Sequence, residues 1–427
     1  MSNFTFLVSA VSFDSRRHTI PIVTWKKETP PQGNIDIRVG INKDNGCLSA
    51  PLVPISLSSF DQAAFNISAA DFPSSLLTVA LHQNESTLST TSVSLKDHKI
   101  ESLCGEISPK GGRIIVDLDI ATVVLESVLI TPFHHPLAHV PSTNTVLSTP
   151  GSTILVGHRG IGMNRVLFAE GSTLPHIGEN TIDSFQEALK EGVQFVEFDA
   201  QVSKDLDVVL YHDSIVSEYP THTEIKDLTT TQFLSTTPKF GASPFTTLKA
   251  ALEALPLSLG FNIEIKYPMP EEIETDKLST IEYNVFVDAV LKTSLEYGGE
   301  RAIVFSCFNP EACRMAKVKQ SRYPVLFLTM GGAHPAIDLR SNTFLAAAEF
   351  AKLAGLDGIV TDATPVVHDP VAQIKAAKEI LGDGKVVFTY GAPNCVPGNA
   401  GVLQSAELDG IIVDTVVQVR EELKVSD

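Results

Sequence analysis

Strand–helix alternation from residue 153 onward, a β-rich pattern without helical periodicity over residues 1–132, and a proline-punctuated stretch between them predict an α/β architecture. The fold class is a (β/α)8 TIM barrel preceded by a smaller all-β sandwich domain. The predicted boundaries are 1–132 for the sandwich, 133–152 for a linker and 153–427 for the barrel. Eight strands over about 275 residues suit a closed barrel. A doubly wound open sheet is the alternative, and no G-x-G-x-x-G follows the first strand to favour it.

In the amino-terminal part, Phe4–Phe13, Ile35–Ile41, Leu76–Leu81 and Arg113–Ile130 are rich in β-branched and aromatic residues. Polar and proline clusters such as 29–34 separate them. In Ile35–Ile41 the apolar side chains fall on every second residue, the strand period. Asp117 and Asp119 would share one strand face, which a solvated surface explains without a metal. Pro132, Pro136, Pro141 and Pro150 mark an extended linker, and His134, His135 and His139 read as solvated linker residues.

The barrel elements follow in order. Strands are expected at Ile154–Val156, Phe195–Asp199, Phe261–Lys266, Ala302–Ser306, Val325–Thr329, Gly358–Thr361, Val386–Tyr390 and Gly410–Asp414. Helices are expected at Thr181–Lys190, Phe245–Leu255, Thr280–Tyr297, Glu311–Lys319, Phe344–Ala354 and Val371–Leu381. Val208–His212 is one strand too many. It reads as the return arm of a hairpin turning near Asp205-Leu206, a register that sets Asp199 opposite His212.

The chain has 427 residues, 43% hydrophobic and 19% charged, an ordinary globular composition. Its net charge of -18 argues against a nucleic-acid partner and against docking on anionic membrane. No basic leader and no stretch near ~18 apolar residues is present, so neither a signal peptide nor a transmembrane segment is expected. Five cysteines without a C-x-x-C pair read as free thiols in a reducing, cytoplasmic compartment. The N-x-S/T sequons at Asn3, Asn66 and Asn84 read as chance matches. Composition says nothing about oligomeric state.

Glu197 and Asp199 are two apart on a strand, so their side chains share a face, and Glu264 leaves a later strand at comparable height. Three gathered carboxylates repel unless a cation lies between them, and all-oxygen ligation selects Mg²⁺ or Ca²⁺. The other reading has Glu197 and Glu264 facing helices in ion pairs. His158 and His212 stand at strand ends near that cluster and can serve as an acid/base pair. Arg159 and Lys266 add fixed positive charge suited to phosphate oxygens. Together these describe a site for phosphodiester cleavage.

The residues His158-Arg159-Gly160, Glu179-Asn180-Thr181, Glu197-Phe198-Asp199, His212-Asp213 and Glu264-Ile265-Lys266, with Ser306-x-Phe308, resemble the motif set of the glycerophosphodiester phosphodiesterases over about residues 153–418. The resemblance implies Glu197, Asp199 and Glu264 as ligands of a divalent metal and His158 and His212 as the catalytic pair. It implies that Arg159, Lys266 and Glu179 serve substrate binding, with Glu179 supporting the His158 side. The implied reaction is hydrolysis of a glycerophosphodiester to sn-glycerol 3-phosphate and an alcohol, with possible attack by the glycerol hydroxyl. A β-domain ahead of the barrel looks most like the eukaryotic, especially fungal, glycerophosphocholine phosphodiesterases. The SPX and ankyrin regions usual upstream in the fungal proteins are not visible, which leaves a truncated chain or a shorter relative. The family usually has Trp-Thr-x-Asn where this chain has Phe388-Thr389-Tyr390-Gly391, so the far wall of the pocket and the head-group choice stay open.

Two rival readings share the barrel. A phospholipase C- or D-like enzyme acting on lysophospholipid needs apolar loops at the mouth, and none stands out in 219–230 or 268–276. A non-catalytic phosphate-sensing module would not be expected to keep both histidines and all three carboxylates.

Overall fold

The structure, a computed structural model of the chain, describes residues 3–9, 23–26, 35–43, 48–55, 62–68, 71, 74–83, 86–95, 113–142, 147, 152–164, 177–239 and 241–423. The expected turn at 29–34, the 10–13 end of the first strand, Cys47, Asn84, Cys104 and linker residues 143–146 and 148–151 lie outside them. The chain forms two compact units. One comprises Met1–His134 with Glu282–Asn284 and Ile337–Arg340, and the other comprises the remainder.

The first unit holds β1 (Asn3–Ser9), β2 (Val23–Trp25), β3 (Ile35–Lys43), β4 (Leu48–Ile55) and β5 (Ala63–Ser68). It continues with β6 (Ser75–Gln83), β7 (Ser86–Ser94), β8 (Arg113–Asp117) and β9 (Ala121–Ile130). They make two antiparallel sheets. One runs β2-β9-β1-β5 with β8 on β9, and the other runs β4-β3-β6-β7. Phe6 and Val8 of the first sheet and Ile37, Val39, Leu77 and Val79 of the second join one buried apolar cluster. That is how two half-apolar sheets remove their inner faces from water.

The expected run Arg113–Ile130 is two strands. The chain turns at 118–120, where the Leu118 amide donates to the Ala121 carbonyl at 2.8 Å. Asp117 and Asp119 therefore do not share a strand face. Asp117 closes β8 and pairs with Lys26 Nζ at 2.8 Å.

The second unit holds β10 (Ile154–Gly157), β11 (Phe195–Val202), β12 (Val208–Leu210), β13 (Gly260–Ile265) and β14 (Ile303–Cys307). It ends with β15 (Val325–Thr329), β16 (Gly358–Asp362), β17 (Val386–Tyr390) and β18 (Gly410–Val413). The eight strands other than β12 run parallel, and β10 pairs with both β18 and β11, so the sheet closes into a barrel. The helices are α1 (Ile182–Lys190), α2 (Thr230–Leu234), α3 (Leu248–Ala254), α4 (Pro270–Asp276) and α5 (Tyr283–Tyr297). They continue with α6 (Pro310–Lys319), α7 (Phe344–Leu353), α8 (Pro370–Leu381), α9 (Asn399–Ser405) and α10 (Val416–Glu422). The four that sequence periodicity did not bring out, α2, α4, α9 and α10, are five to seven residues long. Two turns give a 3.6-residue period little room to register, and of the helices this short only α3 was expected from the sequence.

Val156, Phe195, Val304, Leu326, Val360, Val386, Phe388 and Ile412 point inward and fill the lower barrel. The filling alternates large and small. A Cβ on Gly260 would lie 2.5 Å from the Phe195 ring, and one on Gly410 would lie 2.5 Å from the Phe388 ring. Leu147 belongs to this same core. Residues 138–142, expected as free linker, bond to the barrel unit. Ser321 N donates to Ala138 O at 2.8 Å, and Arg322 Nη1 donates to Val140 O at 3.2 Å.

Candidate active site

The site grows out of strand parity. Phe195 faces the barrel interior, so Glu197 and Asp199 on the same strand face it too. Phe198 faces outward and meets Phe185 of α1 with ring centroids 5.1 Å apart. Asp199 pairs with Glu264 in the register of β11 and β13, so two carboxylates stand side by side on adjacent strands. Glu197, Asp199 and Glu264 are all buried, and each offers an oxygen within 4.8 Å of the others. The reading in which Glu197 and Glu264 face helices is thereby excluded.

Cations and dipoles surround the trio unevenly. The backbone amide of Arg159 donates to Glu197 Oε2 at 3.1 Å. Arg159 Nε lies 3.5 Å from Asp199 Oδ2, and its Nη1 donates to Glu179 Oε1 at 2.7 Å. Lys266 Nζ lies 3.0 Å from Glu264 and 3.5 Å from Asp199. Asn180 donates its side-chain amide to Asp199 Oδ2 at 2.9 Å and accepts from Asp199 N at 3.2 Å.

The consequences differ residue by residue. Burial pushes Glu197 well above the usual carboxylate range, and its neighbours Asp199 and Glu264 push it further. Burial also raises Glu264, against the pull of Lys266. Burial raises Asp199 as well, but His212, Arg159, Lys266 and the Asn180 bond outweigh it and hold that group low. For two of the three carboxylates the surrounding positive charge thus does not offset burial.

The turn after β10 has a steric origin. Arg159 adopts φ +50° and Gly160 φ +98°. A Cβ on Gly160 would lie 2.2 Å from Ser184 Oγ and 2.9 Å from the Ser184 backbone. Only glycine lets α1 approach this closely, and the approach holds His158 and Arg159 over the barrel mouth. Asn180, also left-handed at φ +57°, precedes Thr181, whose side chain caps α1. Sparsely populated backbone conformations concentrated here are typical of a preorganised site.

Both histidines are backed by carboxylates. His158 Nδ1 donates to Asp414 Oδ1 at 2.7 Å, leaving Nε2 to face Glu197 Oε2 at 3.8 Å. Burial raises Asp414, but the bond to His158 outweighs it and lowers the group. His212 Nδ1 bonds Asp213 Oδ1 at 2.6 Å. In each case the bond fixes the ring proton on Nδ1 and leaves Nε2 free to accept one.

The hairpin register differs from expectation by one residue. Ala200 pairs with Leu210, and Tyr211 N donates to Asp199 O at 3.1 Å, so Tyr211, not His212, stands opposite Asp199. The reason is a five-residue loop, Ser203–Asp207, centred on Asp205 where a turn centred between Asp205 and Leu206 was expected. His212 lies beyond the strand's end, near enough to act on Asp199 electrostatically.

Two clefts open beside His212 and Asp213. One of ≈ 480 Å³ is lined by Arg159, Glu179, Asn180, Tyr211 and Phe245 among others. The second, ≈ 380 Å³, is lined by Glu264, Lys266, Tyr267, Glu272 and Phe308 among others. Five of the eight expected site residues line these clefts, and His158, Glu197 and Asp199 lie behind them in contact with one another or with Arg159 and Lys266. Glu179 accepts from the Arg159 guanidinium. Sequence reasoning missed Asn180 and Asp414 as partners of Asp199 and His158. Asn180 sat inside a motif already singled out. Asp414 follows the inward parity of Ile412 by two residues, and that signal was available.

The Glycerophosphoryl diester phosphodiesterase family matches residues 158–418, a span that opens on His158 itself. The glycerophosphocholine phosphodiesterase of Candida albicans is 32% identical over 376 residues, covering 72% of this chain and 32% of that protein. The human glycerophosphocholine phosphodiesterase is 33% identical over 335 residues, covering 70% of this chain and 49% of that protein. A glycerophosphodiester phosphodiesterase of Arabidopsis thaliana is 32% identical over 309 residues, covering 66% of this chain and 79% of that protein. The chain spans about a third of the length of the fungal relatives it matches. With the family match spanning every site residue from His158 to Asp414, this chain belongs to the glycerophosphoryl diester phosphodiesterase family.

Proposed function

We propose that this protein hydrolyses glycerophosphodiesters, glycerophosphocholine foremost, to sn-glycerol 3-phosphate and the free alcohol. The observation that carries this reading is the buried trio Glu197, Asp199 and Glu264, set among Arg159, Lys266 and two carboxylate-backed histidines. The names of the fungal and human relatives support the choline head group.

The trio fits a hard divalent cation, Mg²⁺ or Ca²⁺. Its donors are all oxygen, and Glu197 and Glu264 are pushed up by burial and by one another. Held by these three carboxylates, such an ion would supply Lewis-acid charge to the site. Arg159 and Lys266 hold the remaining phosphate charge, and Glu179 fixes the guanidinium that does so. One histidine takes the proton of the attacking oxygen. The other gives a proton to the departing alcohol, so that each product oxygen ends correctly protonated. Asp414 and Asp213 hold the two rings in the tautomer this requires.

The setting in this reading is a reducing cytoplasm. Cys307, Cys313 and Cys395 are free thiols among the described residues, where no helix is long and apolar enough to cross a membrane. The test is product analysis. Incubation with glycerophosphocholine and Mg²⁺ or Ca²⁺ should release choline and sn-glycerol 3-phosphate in equal amounts. Release of phosphocholine and glycerol would contradict the proposal, as would turnover confined to micellar lysophospholipid.

A further inference from the structure

The barrel mouth is chemically divided. Arg159, His158, His212 and Lys266 all come from the β10–β13 side. On the opposite side, the inward positions at the tops of β14, β15, β16 and β17 are Phe308, Met330, Asp362 and Tyr390. That side contributes no Lys or Arg at these positions. Phe308 and Tyr390 meet edge to face, with ring centroids 6.1 Å apart and planes at 87°. Both rings are only partly buried.

Asp362 adjoins this corner, pairing with Tyr390 in the register of the two strands. Its Oδ1 accepts from Thr364 N at 2.8 Å, and it has no ion pair among the described residues. A half-buried carboxylate without a cation is costly unless a ligand supplies one. Glycine at 391 lets that carboxylate lie close against the backbone. Gly391 has φ +98°, and a Cβ there would lie 2.8 Å from Asp362 Oδ2. Tyr390 is a neutral neighbour of that carboxylate. Burial, then Asp362 and Glu264, push its phenol up, so the hydroxyl stays protonated and donates to Met330 Sδ at 2.8 Å. The Phe308 ring already has a cation near its face, with Lys266 Nζ 5.9 Å from the centroid. Phe308 thus stands between the phosphate-binding cations and the aromatic corner.

We propose that Phe308, Tyr390 and Asp362 form the subsite that selects a cationic alcohol, with the two aromatic rings receiving a quaternary ammonium and Asp362 balancing its charge. This rests on the phosphodiesterase reading of the same mouth and adds the residues that set its head-group preference. A quaternary ammonium is a large, weakly hydrated cation that aromatic faces attract in place of water. The two charges of a zwitterionic diester then match the two halves of the mouth. Phosphate meets Arg159 and Lys266, and ammonium meets the corner opposite.

The experiment compares kcat/KM for glycerophosphocholine and for glycerophosphoglycerol, whose alcohol is neutral, with Mg²⁺ or Ca²⁺ present. The wild-type protein should favour the choline diester at least tenfold. Asp362→Asn and Tyr390→Val should each lower the choline value about tenfold and leave the glycerol value within twofold, which also shows that the variants fold. Tyr390→Phe keeps the ring and should keep the preference. Equal losses on both diesters would overturn the subsite. So would a wild-type protein that turns the two over equally, and in that case the phosphodiesterase reading survives. Turnover of neither diester would sink that reading, and this inference with it.

Discussion

The two ends of the same barrel strands are built for opposite purposes. On β11, Phe195 at the lower end fills space left by Gly260, while two residues on Glu197 is a buried carboxylate without enough countercharge, and Asp199 beyond it is held low by the cations around it. On β18, Ile412 lies in the apolar core and Asp414 holds a histidine. The lower layer is apolar, interdigitated and satisfied by itself. The upper layer has the same parity and burial, but burial of Glu197 and Glu264 is not offset by the charges around them. Stability and chemistry are thus separated by one or two inward positions along a strand, and mutations at the two levels should separate them in turn.

The largest contrast lies within β11. Glu197→Ala should lower kcat by about 10³-fold or more, since it removes a donor from the proposed metal site. Phe195→Ala should cost about 3–5 kcal/mol of stability and leave the turnover of the folded fraction nearly intact. Glu197→Gln sharpens the point. A carboxyl raised in the folded state costs stability as pH rises past its unfolded value near ~4.3. In metal-free buffer at pH 7 the substitution should therefore raise Tm, while abolishing the further rise that Mg²⁺ or Ca²⁺ gives the wild type. A lower Tm in metal-free buffer would show that Glu197 is not held against repulsion.

Next in size are the histidines. His158→Ala and His212→Ala should each lower kcat by about 10²–10⁴-fold on glycerophosphocholine. A nitrophenyl diester, whose leaving group departs without a proton, should rescue whichever variant lacks the acid. Equal losses on both substrates would contradict a division of labour between the rings.

Asp414→Asn should be milder, about 10–100-fold in kcat, because the ring remains and only its tautomer and aim are disturbed. It should also alter acid stability. Asp414 is held below its ordinary value, so it contributes stability above about pH 4 that disappears as pH falls through its folded value. The variant should be less stable than wild type near neutrality and converge with it at low pH, as read from Tm against pH. Constant separation down to pH 2 would rule out the His158 bond as the source.

The smallest contrast concerns the lower end of the barrel. A fragment from residue 135 should be more stable than one from 148, because Leu147 sits in the barrel core and Ala138 and Val140 bond Ser321 and Arg322. Equal melting temperatures would make those contacts dispensable. Both fragments keep every proposed site residue, so kcat should match in either outcome.

How much of this was legible beforehand depended on period and parity. Phe195, Glu197 and Asp199 announce a strand and the face it turns inward, so the carboxylate trio could be read before any coordinates. All eight barrel strands were visible as apolar runs, because parallel strands buried on both faces leave that trace. What sequence could not supply was set by single residues in turns. A five-residue loop centred on Asp205 moved the hairpin register by one. The Asp414–His158 bond links residues 256 apart, and only barrel closure brings them together. Residues 138–142 look like linker because proline and histidine dominate locally, while their hydrogen bonds to Ser321 and Arg322 are tertiary.

The central claim is that the upper layer is completed by one divalent ion. The most direct measurement strips the protein with chelator, then titrates Mg²⁺ or Ca²⁺ while following bound ion and choline release from glycerophosphocholine together. The account predicts negligible turnover in the stripped protein and activity rising in step with one ion bound per chain, with Glu197→Ala showing neither. Full turnover in excess chelator, with no ion bound, would contradict it.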